Sequence, residues 1–478
     1  MPVILGLSMA LDWGAREAML FAGAGFLIGG LDDLAVDLVF LWVRFRAWIV
    51  RALTDATTLD ALPASDVPRH LAVFVAAWDE SAVIGAMLRA ALARFDYPDY
   101  RLHVGVYPND RDTIDAVASV AVLDSRVHMV IGGDDGPTTK AACLNAVWHA
   151  LLRSEAQGAP RAAAIVIHDA EDMVDPAELR VFDAWLDRYA VVQLPVIPLS
   201  CAGSPMVSGH YLDEFAEAHA KQLVVRQALG AGLPLAGTGC AIRRDAIDSL
   251  AAARGGQPFD AASLVEDYEM GLTIAAMGGQ GALARVRTVA GGPLIAVRAH
   301  FPDTIDAAVR QKARWMAGIA LAGWDRIGWS RALDWRDHWM RMRDRRAPIA
   351  VIVLVAAYAA LVLWALSFGM HALSGVERVP IAWPLVLLLR INGLLLLWRL
   401  ASRAFFTGRS YGTAEALRSV PRAFVGNIIA LLAARRAFVR YIAMLRGAAA
   451  VWEKTARIFP QDLAEPGPVI PAQRSDTA

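Results

Sequence analysis

The sequence predicts an α/β protein: a doubly wound, mainly parallel sheet with α-helical transmembrane segments before and after it. Three observations carry that prediction. Between residues 70 and 330, short apolar runs alternate with helical patterns at the spacing of strand-helix-strand units. Long apolar stretches flank that region on both sides. Finally, 56% of the 478 residues are hydrophobic, more than a purely soluble enzyme needs. Lys plus Arg (47) equals Asp plus Glu (47), so no global basic field points to nucleic acid. Cys143, Cys201 and Cys240 lie in neither Cys-x-x-Cys nor metal-finger spacing and read as reduced cytoplasmic thiols.

The first element, residues 18–43 within a segment 1–53, is long and apolar enough to cross a bilayer. Arg44, Arg46 and Arg51 follow it and put its exit in the cytoplasm. No basic region precedes it and no clean cleavage site ends it, so it does not read as a removable leader. Asp32, Asp33 and Asp37 each cost about 2.5 to 3.5 kcal/mol at mid-membrane. Arg390, at matching depth in a later span, is their expected partner. The alternative is a half-inserted helix that breaks at Gly29-Gly30 and continues along the interface.

Residues 54–69 form a polar linker. The sheet strands then fall at 71–76, 102–107, 127–131, 165–167 and 191–197, each a short apolar run. Helices at 81–94, 113–122, 140–154 and 177–189 separate them, and 214–229 and 303–323 add two more. Residues 331–348 carry Arg, Trp and Met in the manner of a helix on the membrane surface. Within 349–447, two spans at 350–370 and 381–399 are bracketed by Arg341, Arg343, Arg345 and Arg346 and by Arg399, Arg403 and Arg409, so both outer ends face the cytoplasm. Residues 423–434 are too short to cross and read as re-entrant or interfacial. The tail, 448–478, is polar and expected to be mobile.

The chemistry starts where the strand through Ile167 stops at His168-Asp169-Ala170-Glu171-Asp172. Two carboxylates one residue apart can share a hard divalent ion and leave its remaining positions to phosphate oxygens and water. Such acids at the carboxyl edge of a sheet suggest a diphosphate ligand. Equally, Asp175-Pro176 opens the next helix, with the earlier acids solvated ahead of it. Trp78-Asp79-Glu80 and Asn109-Asp110 follow the first two strands at the same edge. There Trp78 is either a base platform or a core residue, and Asp79 either an acceptor or a cap. Lys140 can meet a phosphate or a base carbonyl as a point charge. Ser263 and Glu266 have capping-box spacing. Asp267 sits in the same first turn, where the helix dipole favours the ionised form a general base needs. Gln311, Arg314 and Trp315 share one helix face, suited to a leaving diphosphate and a sugar ring or, alternatively, to a membrane interface.

The order Trp78-Asp79-Glu80, Asn109-Asp110, Lys140 with Asn145, Asp169-Ala170-Glu171-Asp172, Gly237-Thr238-Gly239, Glu266-Asp267 and Gln311-x-x-Arg314-Trp315 resembles the membrane-embedded family 2 inverting glycosyltransferases of the cellulose and hyaluronan synthase kind. Leu31-Asp-Asp-Leu34, the His168 to Asp172 edge and Gln193-Leu-Pro-Val196 resemble the bacteriophage adsorption protein B (NfrB) branch in particular. The resemblance spans residues 20 to 447. It departs from the family where Pro108-Asn109-Asp110-Arg111 stands for Asp-Asp-Gly.

This resemblance implies a GT-A fold at 70–330, on the cytoplasmic side of a bacterial inner membrane. Trp78 and Glu80 would border the base of a nucleotide-sugar, probed also by Asp110 and Lys140 at the uridine. Asp169 and Glu171 would bind Mg2+ or Mn2+ with the sugar diphosphate. Asp267 would be the catalytic base, with Glu266 beside it among the substrate-binding residues. Gln311, Arg314 and Trp315, with the 237–239 loop, would face a glycan or lipid-linked acceptor. Three spans are few for a polymer conduit, which leaves room for an oligomer or for an outer-membrane or periplasmic export partner. Relatives in this branch carry a C-terminal cyclic-dinucleotide sensor for which the tail offers no space. Two other readings stay open: a catalytically idle transferase-fold receptor or secretion scaffold, and a metal-dependent phosphohydrolase.

Overall fold

A strand with no polar face must be covered on both sides, and Leu71–Ala76, in which every residue is buried, is of that kind. In the computed structural model, which describes residues 2–50, 57–63, 67–448 and 459–460, it lies inside a seven-stranded sheet. In chain order, α1 (Pro2–Val50) and β1 (Thr57–Thr58) precede β2 (Leu71–Ala76), α2 (Ile84–Arg94), β3 (Tyr100–Val106), α3 (Arg111–Ala121) and β4 (Val127–Ile131). Next come α4 (Lys140–Ala156), β5 (Ala164–His168), α5 (Glu178–Trp185), β6 (Val191–Gln193) and β7 (Val196–Leu199). A helix broken by a π turn follows as α6 (Gly209–Glu217) and α7 (Leu223–Ala228), before β8 (Cys240–Arg243), α8 (Arg244–Ala253) and α9 (Glu266–Ala276). The sheet-bearing region ends with β9 (Gly281–Leu283), β10 (Val286–Arg287), β11 (Val297–His300), α10 (Ile305–Trp315) and α11 (Gly323–Arg326).

The sheet order is β4-β3-β2-β5-β8-β6-β9, parallel except at β8, which runs against both its neighbours. Alternate residues of β2 serve opposite faces. Leu71, Val73 and Val75 pack with Ile84, Leu88, Val117 and Phe182, whereas Ala72 and Phe74 pack with Leu144, Trp148, Ile247 and Leu250. Helices therefore cover both faces, as expected for a doubly wound sheet. The register pairs Val75 with His168 and Ala76 with Gly105, so β2, β3 and β5 end at one common edge.

Several boundaries differ from the expected ones. The predicted strand 191–197 is two strands in two sheets, because Pro195 has no N–H for a central ladder. The predicted helix 303–323 begins at Ile305 and passes through a π turn, Met316–Ala322, immediately after Trp315. The helix through Met277 does not open with a capping box: it starts at Glu266 itself, and the Ser263 hydroxyl instead accepts from the Val265 N–H (3.1 Å). Nor is Asp175 the cap of α5, which starts at Glu178 after Ala177.

The helical layer comprises α12 (Trp335–Arg345), α13 (Ala347–Ser374), α14 (Trp383–Tyr411) and α15 (Thr413–Leu445) together with α1. α13 and α14 are long and apolar enough to cross a bilayer, and only 11% and 0% of their most apolar stretches is buried within the protein. Apolar surface left that open suggests membrane association. α1 is antiparallel to α13: Asp12 meets Ser367 and His371 (3.0 Å), while Asp32 meets Arg343 and Arg346. The helices approach so closely that a Cβ on Gly25 would lie 2.4 Å from Val353.

This register overturns the expected intramembrane pair. The stretch of α1 beside α13 runs from residue 12 to 32, so Asp32 lies at the end of that apposition rather than in its middle. Asp32 and Asp33 pair with Arg343 and Arg346, Asp33 also lies 3.7 Å from Arg399, and Asp37 pairs with Lys221. Among the described residues Arg390 is exposed and joins none of the three. α1 does not break at Gly29-Gly30. The segment expected to be re-entrant belongs to the 33-residue helix α15, continuous through Pro421. Phe459, in the segment expected to be mobile, is buried in the core shared by α2 and α5. Most of that tail, residues 51–53 with the expected exit charge Arg51, and linker residues 54–56 and 64–66 lie outside the described residues.

Candidate active site

Beyond the fully buried β5, the chain turns sharply. The Asp169 N–H donates to Asp172 Oδ2 (2.8 Å), and the Asp172 N–H donates to the Asp169 carbonyl (3.2 Å). Beneath this turn, His168 lies between Asp172 (3.0 Å) and Glu178 (2.7 Å). Burial alone would keep that imidazole neutral, but Glu178 and Asp172 reverse the balance and raise its pKa to about 10. An imidazolium held between two carboxylates thus fixes the edge on which Asp169 and Glu171 stand.

Opposite that edge, Lys140 opens α4. Its ammonium donates to Asp169 and to the Gly237 carbonyl (2.9 Å). Burial would lower its pKa, yet Asp169, Glu266 and Asp267 outweigh burial and raise it. Asp267, in the first turn of α9, accepts from the Tyr268 N–H (2.8 Å). Burial raises the pKa of its carboxyl against the lowering effect of Lys140. Burial, then Asp267, pushes Glu266 up to about 7. A more basic carboxylate is a better proton acceptor near neutral pH. Gly237 has φ +78°, and a Cβ there would lie 2.4 Å from Asp267 Oδ2, so only glycine lets the loop pass.

The result is one cleft, open at its mouth. Of the expected site residues, Glu80, Lys140, Asp169, Glu171, Glu266, Asp267, Gln311, Arg314 and Trp315 line it. Arg314 reaches the Leu264 carbonyl (3.3 Å), and Gln311 buries a side-chain oxygen that has no hydrogen-bond partner among the described residues. Trp78 and Asp110 do not line the cleft. Trp78 packs edge to face on Tyr107 (5.2 Å), and Asp110 caps α3 through the Thr113 N–H (3.3 Å) while accepting from the Asp79 N–H (2.6 Å). Both stay at the same sheet edge, beside the cleft. Phe215, Phe301 and Thr238 also line it, as does Asp172. The two phenylalanines come from separate elements and no local pattern marks them; the His168-x-x-x-Asp172 spacing did hint at the buried pair.

A divalent cation fits these residues. Among the described residues, no three His, Cys, Asp or Glu side chains converge into a protein cage. Asp169 and Glu171 supply a partial set of hard oxygens, which is how magnesium is held when phosphates complete its shell. Asp172 Oδ1 is buried without a hydrogen-bond partner among the described residues. Moreover, the acids Glu80, Asp169, Glu171, Asp172, Glu266 and Asp267 face only Lys140 and Arg314 as lining cations, so an anionic diphosphate needs added positive charge to enter.

Comparison with known proteins agrees with this geometry. Residues 68–318 match the family described as glycosyltransferase like family 2. Bacteriophage adsorption protein B of Escherichia coli (strain K12) is 33% identical over 474 residues, covering 94% of this chain and 63% of the relative. Bacteriophage N4 adsorption protein B of Escherichia coli O157:H7 matches to the same extent, so the chain spans under two thirds of these relatives' length. Among solved structures, a mannosyltransferase from Pyrobaculum calidifontis in complex with GDP-Man and Mn2+ aligns with TM-score 0.49 and 15% identity, over 84% of this chain and 98% of that one. Glucosyl-3-phosphoglycerate synthase from Mycobacterium tuberculosis aligns with TM-score 0.35 and 18% identity, over 59% and 90%. The sheet, the acid-lined edge and the sequence match lead to one assignment: this chain belongs to the family 2 glycosyltransferases.

Proposed function

We propose that the chain is a membrane-bound inverting glycosyltransferase that moves a sugar from a nucleotide-sugar, of the UDP class, to a glycan or exopolysaccharide acceptor. The observation that carries this reading is the meeting of Asp267 with the Asp169–Glu171 edge and the Arg314–Trp315 face in one cleft. Asp267 takes the proton of the acceptor hydroxyl as its oxygen bonds to the anomeric carbon from the side opposite the diphosphate. The anomeric C–O bond to phosphate breaks, its electron pair leaves with the nucleoside diphosphate, and the configuration inverts. Arg314 and Lys140 stabilise the charge that builds on the leaving oxygens. Asp169 and Glu171 would hold Mg2+ or Mn2+, whose positive charge screens the diphosphate. Trp315 offers a flat face to the acceptor sugar, and Trp78, Glu80 and Asp110 sit where the base would lie.

The domain layout follows: a catalytic domain at 70–330 on the cytoplasmic side of a bacterial inner membrane, anchored by the helices on either side. Incubating the detergent-solubilised chain with a panel of UDP-sugars and Mn2+ tests the reading through nucleoside diphosphate release and product mass. Asp267→Asn should lose turnover and keep nucleotide-sugar binding; full turnover in that variant removes the base. A second reading has one observation in its favour. Lys140 already pairs with Asp169, as it would in an idle cleft of a receptor or scaffold, a role in keeping with the relatives' name as adsorption proteins. That reading predicts no turnover of any donor on the panel.

A further inference from the structure

One motif noted in the sequence, Gln193-Leu-Pro-Val196, has no part in the chemistry above. Its glutamine is the last residue of β6 and is fully buried. The side-chain amide spends all its hydrogen-bonding capacity on nearby backbone, chiefly that of a single loop. Nε2 donates to the carbonyls of Leu194 (2.9 Å), Thr238 (2.9 Å) and Gly239 (3.1 Å), which share its two hydrogens. Oε1 accepts from the Ala236 N–H (2.9 Å). Both ends of the 236–239 segment are therefore tied to one side chain.

That loop touches Lys140, Asp267 and Asp172. The Gly237 carbonyl receives the Lys140 ammonium, the Gly237 Cα abuts the Asp267 carboxylate, and the Thr238 hydroxyl donates to Asp172. Resting on the transferase reading, we propose that Gln193 is a positioning residue: it clamps the 236–239 loop so that Lys140 and Asp267 hold their places on the two sides of the reacting centre. The role needs a donor and an acceptor on the same planar group. Glutamate has no hydrogens for the carbonyls, methionine has neither function, and asparagine is one methylene too short to reach both ends of the loop.

The test uses the full chain in detergent, with Gln193→Met as a variant of similar volume. Deuterium exchange of the 236–239 amides should speed up by on the order of tenfold or more, while β2 and β5 keep their protection. With the UDP-sugar that the wild type turns over, kcat should fall by on the order of tenfold or more, and the KM for donor should stay within about threefold. Leu88→Ala, in the core on the opposite face of the sheet, controls for stability: it should lower the melting temperature and leave kcat per folded molecule intact. Gly237→Ala should lose activity too, and the double variant should lose no more than the worse single one, since both act through one loop. Unchanged loop exchange, or a Gln193→Met kcat within about twofold of wild type per folded molecule, overturns the proposal. A wild type that turns over no donor would refute the transferase reading instead, and exchange would still decide whether Gln193 holds the loop.

Discussion

Charge is handled in opposite ways in the cleft and in the helical layer. Where the helical layer meets α6, each buried acid faces at least one base: Asp213 with Arg422, and Glu217 with Lys221 and Arg399. In the cleft, acids outnumber bases; burial raises the carboxyls of Glu266 and Asp267 there, as it does that of Asp213, so the contrast lies in the count of charges. Matched charges hold elements together and have little left to offer a ligand. Mismatched charges cost stability and leave something for a cation, a diphosphate and a transferable proton to satisfy. The difference separates a scaffold from a site more clearly than burial does.

Four experiments probe that contrast, beginning with the largest effect. Asp267→Asn should reduce transfer by about 100-fold to 10,000-fold, read as nucleoside diphosphate release, with donor binding retained in a titration. Chelation should have a comparable effect: EDTA should abolish turnover and added Mn2+ restore it, while turnover that persists in EDTA would break the argument from excess negative charge. On the scaffold side, Arg422→Ala strands the buried Asp213 and should cost about 3 to 5 kcal/mol, seen as a lower melting temperature of the solubilised chain. Glu266→Gln in the cleft should leave that temperature unchanged or raise it; an equal loss in both would erase the distinction.

The smallest effect is the pH dependence of stability. Burial holds His103 and His219 at about 3, and the Val196 N–H donates to His219 Nδ1 (3.3 Å), which requires a neutral ring. A folded pKa below the unfolded value of about 6.5 means that the unfolded chain binds more protons as pH falls. Their contribution is therefore complete above that value and is lost progressively towards pH 3. Glu266, raised to about 7, acts in the other direction: its share is present at low pH and fades as pH rises through 7. Melting curves at stepped pH should show the acid-side loss reduced in a His219→Gln variant.

Apolar continuity made much of this legible from sequence. β2 and β4 fall at their expected limits, β2 as an unbroken apolar run and β4 as a run interrupted only by His128. β8 was missed: Cys240-Ala-Ile-Arg243 is brief and follows a glycine loop. The π turns were invisible, since an inserted residue leaves the helical pattern nearly intact. Within the site, the acids and the Gln311 to Trp315 face were marked by their local spacing. The environment of Trp78 and Asp110 was not, because the edge-to-face contact with Tyr107 and the bond from the Asp79 N–H depend on where two strands end in space. The partners of Asp32 were misjudged because depth was counted from hydropathy alone, which does not say where α1 begins to accompany α13.

The length of α1 matters beyond packing. Its 49 residues make a rod of roughly 70 Å, more than twice a hydrocarbon core of about 30 Å, and it runs unbroken from its contacts with α13 to the Asp37–Lys221 pair on the catalytic side. Such a rod fixes the distance and the heading of the Lys221 contact relative to α13. One extra residue between Asp33 and Asp37 would turn everything beyond it by about 100° and pull Asp37 away from Lys221, so the joint between α1 and the sheet-bearing region is written into the winding of a single helix.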